Sequence, residues 1–287
     1  MAFEDVMGAV MRWTTGAEAL AALGAQLSLQ QSGRGSPEVV AALRAVSEAA
    51  GLGDLGELDP QQRGMFIAIA RLYLRQSVDL LENADAAPGW TYTDPTILED
   101  WGRVSMMVPA SVATAHPDLA HVDSFLDVGT GVGLLAIAAA SVWPQASIVG
   151  VDVWEPSLEC ARANVAQANL DARITLRNQD VRAIDDVDAF DCVFVPTFFL
   201  SETVISECLA PLYRATRPGA WIVLGRLSPP PDPLAEAVGR LRTMRAGGTE
   251  LDVKRGLGLL EGAGCRDVHV AAKDRPSPLD LLLGRKV

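Results

Sequence analysis

One acid and three glycines stand together in FLDVGTGVGLLAIAAA, residues 125–140: Asp127, Gly129, Gly131 and Gly133. Phe125, Leu126 and Val128 are strand formers. The glycines give a tight turn, and the apolar run from Leu134 to Ala140 favours a helix, so the pattern predicts strand, turn, helix. Glycines at alternate positions let the backbone pass close beneath a ligand, because no Cβ stands between the turn and what sits above it. Two kinds of nucleotide-type ligand could use such a turn. Gly131, Gly133 and Ala136 satisfy the dinucleotide fingerprint G-x-G-x-x-A. A pyrophosphate, however, seeks the bare amides of a helix N-terminus, and the carboxylate of Asp127 at the strand end opposes it. The acid suits a ligand that carries cationic groups.

Further acids recur in register with this turn. The segment SIVGVDVWEP predicts a second strand over Ser147–Val151 that ends at Asp152, with Val153 and Trp154 beyond it. Asp152 lies about twenty residues past the last glycine, where a carboxylate can accept both hydroxyls of a ribose. A third strand, Ile174–Arg177, leads to Asp180 and Val181, and a fourth, Phe190–Val195, ends at Pro196. Ligands of open α/β sheets lie outside such strand ends, at the point where strand order reverses. Pro196, Thr197, Phe198 and Phe199 are therefore expected to border the reacting centre.

The motif DVGTGVG resembles the first motif of class I S-adenosylmethionine-dependent methyltransferases, and the ordered set that follows strengthens the resemblance. It covers about Asp123 to Val287 and includes Arg217, Pro218 and Gly219, similar to the family's LKPGG element. The resemblance implies an α/β fold: a seven-stranded Rossmann-like sheet, six strands parallel and one reversed, with helices on both faces. It implies S-adenosylmethionine as cofactor, bound by Asp127, Gly129, Thr130, Gly131, Gly133, Asp152, Val153, Asp180, Val181 and Pro196. In such enzymes an acid at the position of Asp180 accepts from the adenine amino group, and the next amide, that of Val181, bonds the ring. The chain lacks the Asn-Pro-Pro-Tyr or Asp-Pro-Pro-Tyr of families that methylate amino groups in nucleic acid or protein. The expected acceptor is a small molecule, an aromatic natural product methylated on O, N or an electron-rich indole-like carbon.

The remaining elements must position these groups. The segments 14–31, 37–50 and 60–83 carry apolar residues at helical spacing, with Ser36-Pro37 and Asp59-Pro60 as helix starts and Gln62 placed for a reciprocal cap. Residues 1–85 are thus an all-helical cap or dimerisation region, and a homodimer through these helices is the expected assembly. Residues 86–122 form a covering segment and linker, and residues 123–287 the cofactor-binding domain. Within the covering segment Asp94-Pro95 starts a helix that Pro109 ends or kinks. Trp90, Trp101 and Met106, with Phe198 and Phe199, are expected to shape an apolar acceptor pocket. Tyr92 and Glu202 are the candidates for a general base; His116, His121 and His269 are poorer ones. Ser201–Thr216 predicts a helix, PPPDP at 229–233 a stiff loop, and the C-terminal SPLDLLLGRKV a strand closing an antiparallel hairpin at the sheet edge.

Composition narrows the alternatives. The 287 residues are 49% hydrophobic, but much of that share is alanine, and charges break every apolar stretch before about 18 residues. No membrane span is expected. The start MAFEDVMGAV has no basic region followed by an apolar one, so a cytoplasmic protein is expected. A net charge of −12 with scattered arginines disfavours a phosphate backbone as partner. Cys160, Cys192, Cys208 and Cys265 have no C-x-x-C spacing, so reduced core thiols are expected and no metal. An NAD-dependent oxidoreductase would use Gly131, Gly133 and Ala136 yet leave Asp127 and Asp180 unexplained. A non-catalytic binding domain of the same fold is the other alternative.

Overall fold

The computed structural model describes residues 2–273 and 277–287, and the chain divides between Ala86 and Ala87 into two compact units. The first unit is helical: α1 (Phe3–Ser32), α2 (Pro37–Ala49) and α3 (Pro60–Glu82). The expected caps are formed. Ser36 accepts from the Val39 amide, and Asp59 and Gln62 exchange hydrogen bonds of 2.9 and 3.0 Å between side chain and backbone. Helix α1 begins eleven residues before the start expected from sequence, since Thr14 and Thr15 do not break it. Their hydroxyls donate back to the carbonyls of Val10 and Met11 at 2.9 and 3.0 Å, which satisfies them inside the helix. Gly24 of α1 meets Ala70 of α3 so closely that a Cβ on it would stand 3.0 Å from the Ala70 methyl. Ser47 of α2 donates to the buried Gln26 of α1 at 2.5 Å.

The second unit is an α/β sandwich. Its elements in order are α4 (Pro95–Ser105), α5 (Val108–Ala115), β1 (Ser124–Val128), α6 (Leu134–Val142), β2 (Ser147–Asp152), α7 (Glu155–Gln167), β3 (Ile174–Asn178), β4 (Phe190–Pro196), α8 (Glu202–Ala215), β5 (Thr216–Leu227), α9 (Pro233–Arg245), α10 (Val253–Gly262), β6 (Arg266–Val270) and β7 (Leu279–Arg285). The strands form one seven-stranded sheet in the order β3-β2-β1-β4-β5-β7-β6. Strands β1 to β5 pair in parallel, and β7 is antiparallel to both its neighbours. The C-terminal strand therefore inserts between β5 and β6, and β6 is the edge. Pro109 is also placed differently from expectation: α4 has already ended, and the proline sits in the first turn of α5, where its missing N–H leaves no bond unmade.

The period of two along each strand sorts side chains to two cores. Phe125, Phe194, Val223 and Leu283 face the side of α6 and α7, with Leu135, Ala139 and Val165. Their neighbours Leu126, Val193, Val195, Leu224 and Leu282 face the side of α8 and α10, with Leu209, Leu212 and Leu260. Cys192, Cys208 and Cys265 are buried among them, and burial pushes each thiol's pKa up. With β1 at the sheet centre between β2 and β4, strand order reverses at the β1–β4 junction. The parallel register Asp127↔Phe194 sets the carboxyl ends of β1 and β4 side by side at one end of the sheet.

Candidate active site

The glycine turn after β1 has a left-handed backbone at all three glycines, with φ of +66° at Gly129, +55° at Gly131 and +76° at Gly133. Their surroundings differ. A Cβ on Gly131 would meet nothing nearer than the Gly129 carbonyl at 4.0 Å, and one on Gly129 would meet only the Pro196 ring at 3.7 Å. A Cβ on Gly133 would press to 3.2 Å on Ala161 of α7, so Gly133 serves helix packing and the entry to α6. Gly129 and Gly131 are the open part of the turn.

Two carboxylates lie beneath it. Asp127 is 1% exposed and accepts from the Thr130 hydroxyl at 2.8 Å. Burial dominates its electrostatics and, with the nearby Asp152 charge, outweighs that hydrogen bond; its pKa is pushed up to about 7. Thr130, expected among the cofactor contacts, is itself buried and orients the acid. Room for it is made by Gly150 on β2, where a Cβ would stand 2.6 Å from the Thr130 hydroxyl. Sequence reasoning passed over Gly150, although a glycine inside a strand signals such a close approach. Asp152, at the end of β2, uses both oxygens: Oδ2 accepts from the Gly131 amide and Oδ1 from the Trp154 amide, each at 2.8 Å. Burial raises its pKa as well, opposed by these amides.

Asp180 follows β3 and caps a short 3₁₀ turn, accepting from the Arg182 amide at 2.8 Å. The Arg182 guanidinium reaches the same carboxylate at 2.7 Å and holds its pKa below the usual range. The Val181 side chain goes into the core, while Val153 is exposed beside Asp152. Pro196 closes β4, and the next residue, Thr197, is fully buried and donates to the Gly225 carbonyl at 2.9 Å.

Residues expected to shape an acceptor pocket from two distant stretches do meet. Trp90 lies edge-on to Tyr92, Trp101 and Phe199 at centroid distances of 5.3, 5.6 and 5.3 Å; Trp101 meets Phe199 at 5.2 Å, and Phe198 meets Phe199 at 4.6 Å. Met106 forms the C-cap of α4. The cluster is fixed by ties that sequence did not signal. Trp154 donates its indole N–H to the Tyr92 carbonyl at 2.7 Å, so it holds the covering segment beside Asp152. Asn164 of α7 donates to Glu99 of α4 at 2.6 Å and to the Val132 carbonyl at 3.0 Å. Gly102 lets α4 lie directly on the turn, since a Cβ there would overlap Val132. Gly248 does the same for the loop after α9, where a Cβ would overlap the Phe198 carbonyl, and the Gly89 amide donates to Arg245 at 2.9 Å.

The two base candidates part company. Tyr92 joins the ring cluster, whereas Glu202, at the start of α8, is 57% exposed along its side chain and paired with Arg255 of α10 at 3.2 Å. His116 and His269 flank Trp221 with ring centroids at 4.4 and 5.8 Å, toward the amino-terminal half of β5 and away from the acids.

Comparison with known proteins bears on this arrangement. Residues 125–219 match the family model described as a methyltransferase domain. Among curated proteins, the tRNA1(Val) (adenine(37)-N6)-methyltransferase of Vibrio campbellii is 34% identical over 80 residues, 28% of this chain and 34% of the relative. The match thus spans about a third of that relative's length. Among solved structures, an O-methyltransferase family protein from Burkholderia thailandensis superposes with a TM-score of 0.69 at 14% identity, over 100% of this chain and 98% of that one. Human N-acetylserotonin methyltransferase, solved in complex with SAM, gives 0.69 at 17% identity over 100% and 99%. At these identities the likeness is one of fold. Residues 125–219 thus resemble a methyltransferase domain, and the chain has the seven-stranded fold of these solved methyltransferases.

Proposed function

We propose that this protein methylates a small aromatic acceptor with S-adenosylmethionine. The observation that carries the reading is a pair of acids, the buried Asp127 and the half-buried Asp152, directly beneath an open glycine turn and beside a cluster of five aromatic rings. Two carboxylates that burial has pushed toward protonation are a poor bed for pyrophosphate and a good one for a cation. The open space over Gly129 and Gly131 leaves room for a ligand at that point. The residues fit the cofactor.

When bound, S-adenosylmethionine supplies an electrophilic sulfonium methyl for in-line displacement. The chain's own residues bind and orient. Asp127 offers a negative charge to the cationic end. Asp152 retains lone pairs for the ribose hydroxyls after accepting its two amides. Asp180, kept ionised by Arg182, and the Val181 amide take the adenine, with Val153 alongside. Trp90, Trp101, Phe198 and Phe199, with Met106 at the end of α4, exclude water and hold a flat acceptor, so that proximity and desolvation supply most of the rate. Tyr92, as its phenolate, is the group within the cluster to take the acceptor's proton; Glu202, exposed and paired with Arg255, is the poorer candidate.

A small acceptor accords with the net charge of −12 and with the fourth-strand end Pro196-Thr197-Phe198-Phe199. Among the described residues no helix is long and apolar enough to cross a membrane, and the buried thiols suit a reducing, cytoplasmic setting. Calorimetric titration with S-adenosylmethionine, S-adenosylhomocysteine and NAD tests the reading. Binding of the first two alone is expected, and binding of NAD alone would overturn it.

The same reading includes a homodimer through the N-terminal helices. It is supported by an apolar stripe along the start of α1, where Phe3, Met7, Met11 and Trp13 are 73%, 44%, 59% and 59% exposed. Light scattering on the full chain should give twice the chain mass, falling to one chain mass in the Phe3→Glu/Met7→Glu variant. A dimer that survives this variant excludes α1 as the interface.

A further inference from the structure

We propose that the indole N–H of Trp101 is the hydrogen-bond donor that selects the acceptor molecule. The substrate would then be a flat aromatic frame bearing a neutral acceptor oxygen, such as a ring carbonyl, directed at this group. The inference rests on the methyltransferase reading above and narrows its substrate class.

Four tryptophans of the second unit show the contrast. Trp143 donates to the Leu119 carbonyl at 3.0 Å, Trp154 to the Tyr92 carbonyl at 2.7 Å, and Trp221 to Asp118 at 3.3 Å. Trp101 Nε1 is buried with no hydrogen-bond partner. Native proteins seldom leave a buried donor unpaired, because desolvating it is unfavourable and nothing is recovered. A tryptophan with a free choice of rotamer would turn its N–H to a carbonyl or to water. Trp101 lacks that choice. Its neighbour Gly102 is pressed onto Val132 of the glycine turn, and Glu99 one turn earlier is pinned by Asn164. Trp90 and Phe199 lie against the ring at 5.6 and 5.2 Å with interplanar angles of 60° and 82°.

The position is also the one a selecting group needs. Trp101 lies on the helix that covers the glycine turn, and its ring contact Phe199 follows directly on the end of β4, where the reacting centre is expected. A purely structural ring at this point would pack as well with a phenylalanine, which has no donor to satisfy. A site built to pair a donor discriminates strongly against analogues that lack the partner, whereas apolar walls alone discriminate weakly. A single in-plane N–H set among rings therefore gives orientation as well as selection.

The test uses the full-length ¹⁵N-labelled protein and two rigid probes that differ by one oxygen, 1-indanone and indane. The chain has six tryptophans, so the indole N–H region of the spectrum is sparse, and Trp101→Phe identifies the Trp101 signal by its loss. Addition of 1-indanone is expected to move that signal downfield, and indane is expected to leave it in place. Wild-type protein should bind the ketone at least fivefold more tightly than the hydrocarbon, with the preference abolished in Trp101→Phe. If Trp101→Phe does not fold, Trp90→Phe takes its place: it removes the other indole of the ring cluster, a ketone-specific shift that survives it is assigned to Trp101, and one that vanishes with it overturns the assignment. An equal response to both probes, no response to either, or a ketone preference that persists in Trp101→Phe overturns the assignment. S-adenosylhomocysteine affinity, measured on the same samples, separates the two levels: binding with an unmoved Trp101 signal removes only this inference, and absence of binding in the wild type removes the methyltransferase reading itself.

Discussion

Asp127→Asn is expected to stabilise the free protein and weaken its cofactor binding, two effects of opposite sign from one substitution. In the folded protein burial holds this carboxyl's pKa at about 7, against 3.8 when it is solvated. Between those values the folded state keeps a proton that the unfolded chain has released. Stability therefore falls as pH rises through that window, and the full cost is present above about pH 7. Asparagine carries no charge to bury and can still accept from Thr130. A gain of about 2–4 kcal/mol at pH 8, shrinking toward zero near pH 4, follows from ~1.4 kcal/mol per pKa unit. Urea unfolding at several pH values measures it, and a gain independent of pH would falsify the account. Binding runs the other way. A cationic ligand selects the ionised acid, so wild-type affinity for S-adenosylmethionine, which carries the sulfonium, should weaken by up to about tenfold per unit below pH 7. The asparagine variant should lose about tenfold or more at pH 8, together with the pH dependence.

The second large effect is that of Asp152→Ala. Two amides, those of Gly131 and Trp154, each donate to one oxygen of this carboxylate at 2.8 Å. Its loss removes the expected ribose contact and also releases the glycine turn from the start of α7. Affinity for S-adenosylhomocysteine should fall about 5- to 150-fold, the equivalent of roughly 1–3 kcal/mol for lost hydrogen bonds to a charged group. The two contributions can be told apart with Asp152→Asn. An amide can accept from one of the two N–H groups but opposes the other with its own NH₂, so it should not restore binding. Full affinity in the asparagine variant would show that the charge is dispensable there and that the ribose is held elsewhere.

These two acids were legible from sequence because each sits at a strand end whose neighbours announce it. A run of β-branched and aromatic residues, then an acid, then a glycine turn or a Pro-started helix, is local chemistry. The same holds for Ser36, Asp59 and Asp94, whose caps are made within three residues along the chain. The beginning of α1 was missed for a reason that is equally local and subtler: Thr14 and Thr15 look like a boundary, but their hydroxyls found carbonyls one turn back.

Aromatic residues 90, 101, 198 and 199 could be proposed as one group from composition and strand-end logic, yet nothing in the sequence showed how they would be held. Asn164 on Glu99, Arg255 on Glu202 and the Trp154 indole on the Tyr92 carbonyl join residues more than fifty positions apart. Such pairs leave no periodic trace, since each depends on where two elements come to rest. Only packing reveals that Gly102 makes room for the Val132 side chain and Gly248 for the Phe198 backbone beside the candidate site.

The sequence by itself determined the order of the elements, the glycine turn, the acids at the ends of β1 and β2, and the separation of a helical start from an α/β remainder. Those features rest on interactions between residues a few positions apart, and the chain carries them wherever it goes. Tertiary structure alone decided that the last strand inserts between β5 and β6, that Gly150 makes room for Thr130, that Arg182 also reaches Glu207, and that the Trp101 N–H is buried without a partner. Each of these depends on which surfaces remain to be buried once the local elements have formed, and that is settled by packing across the whole domain.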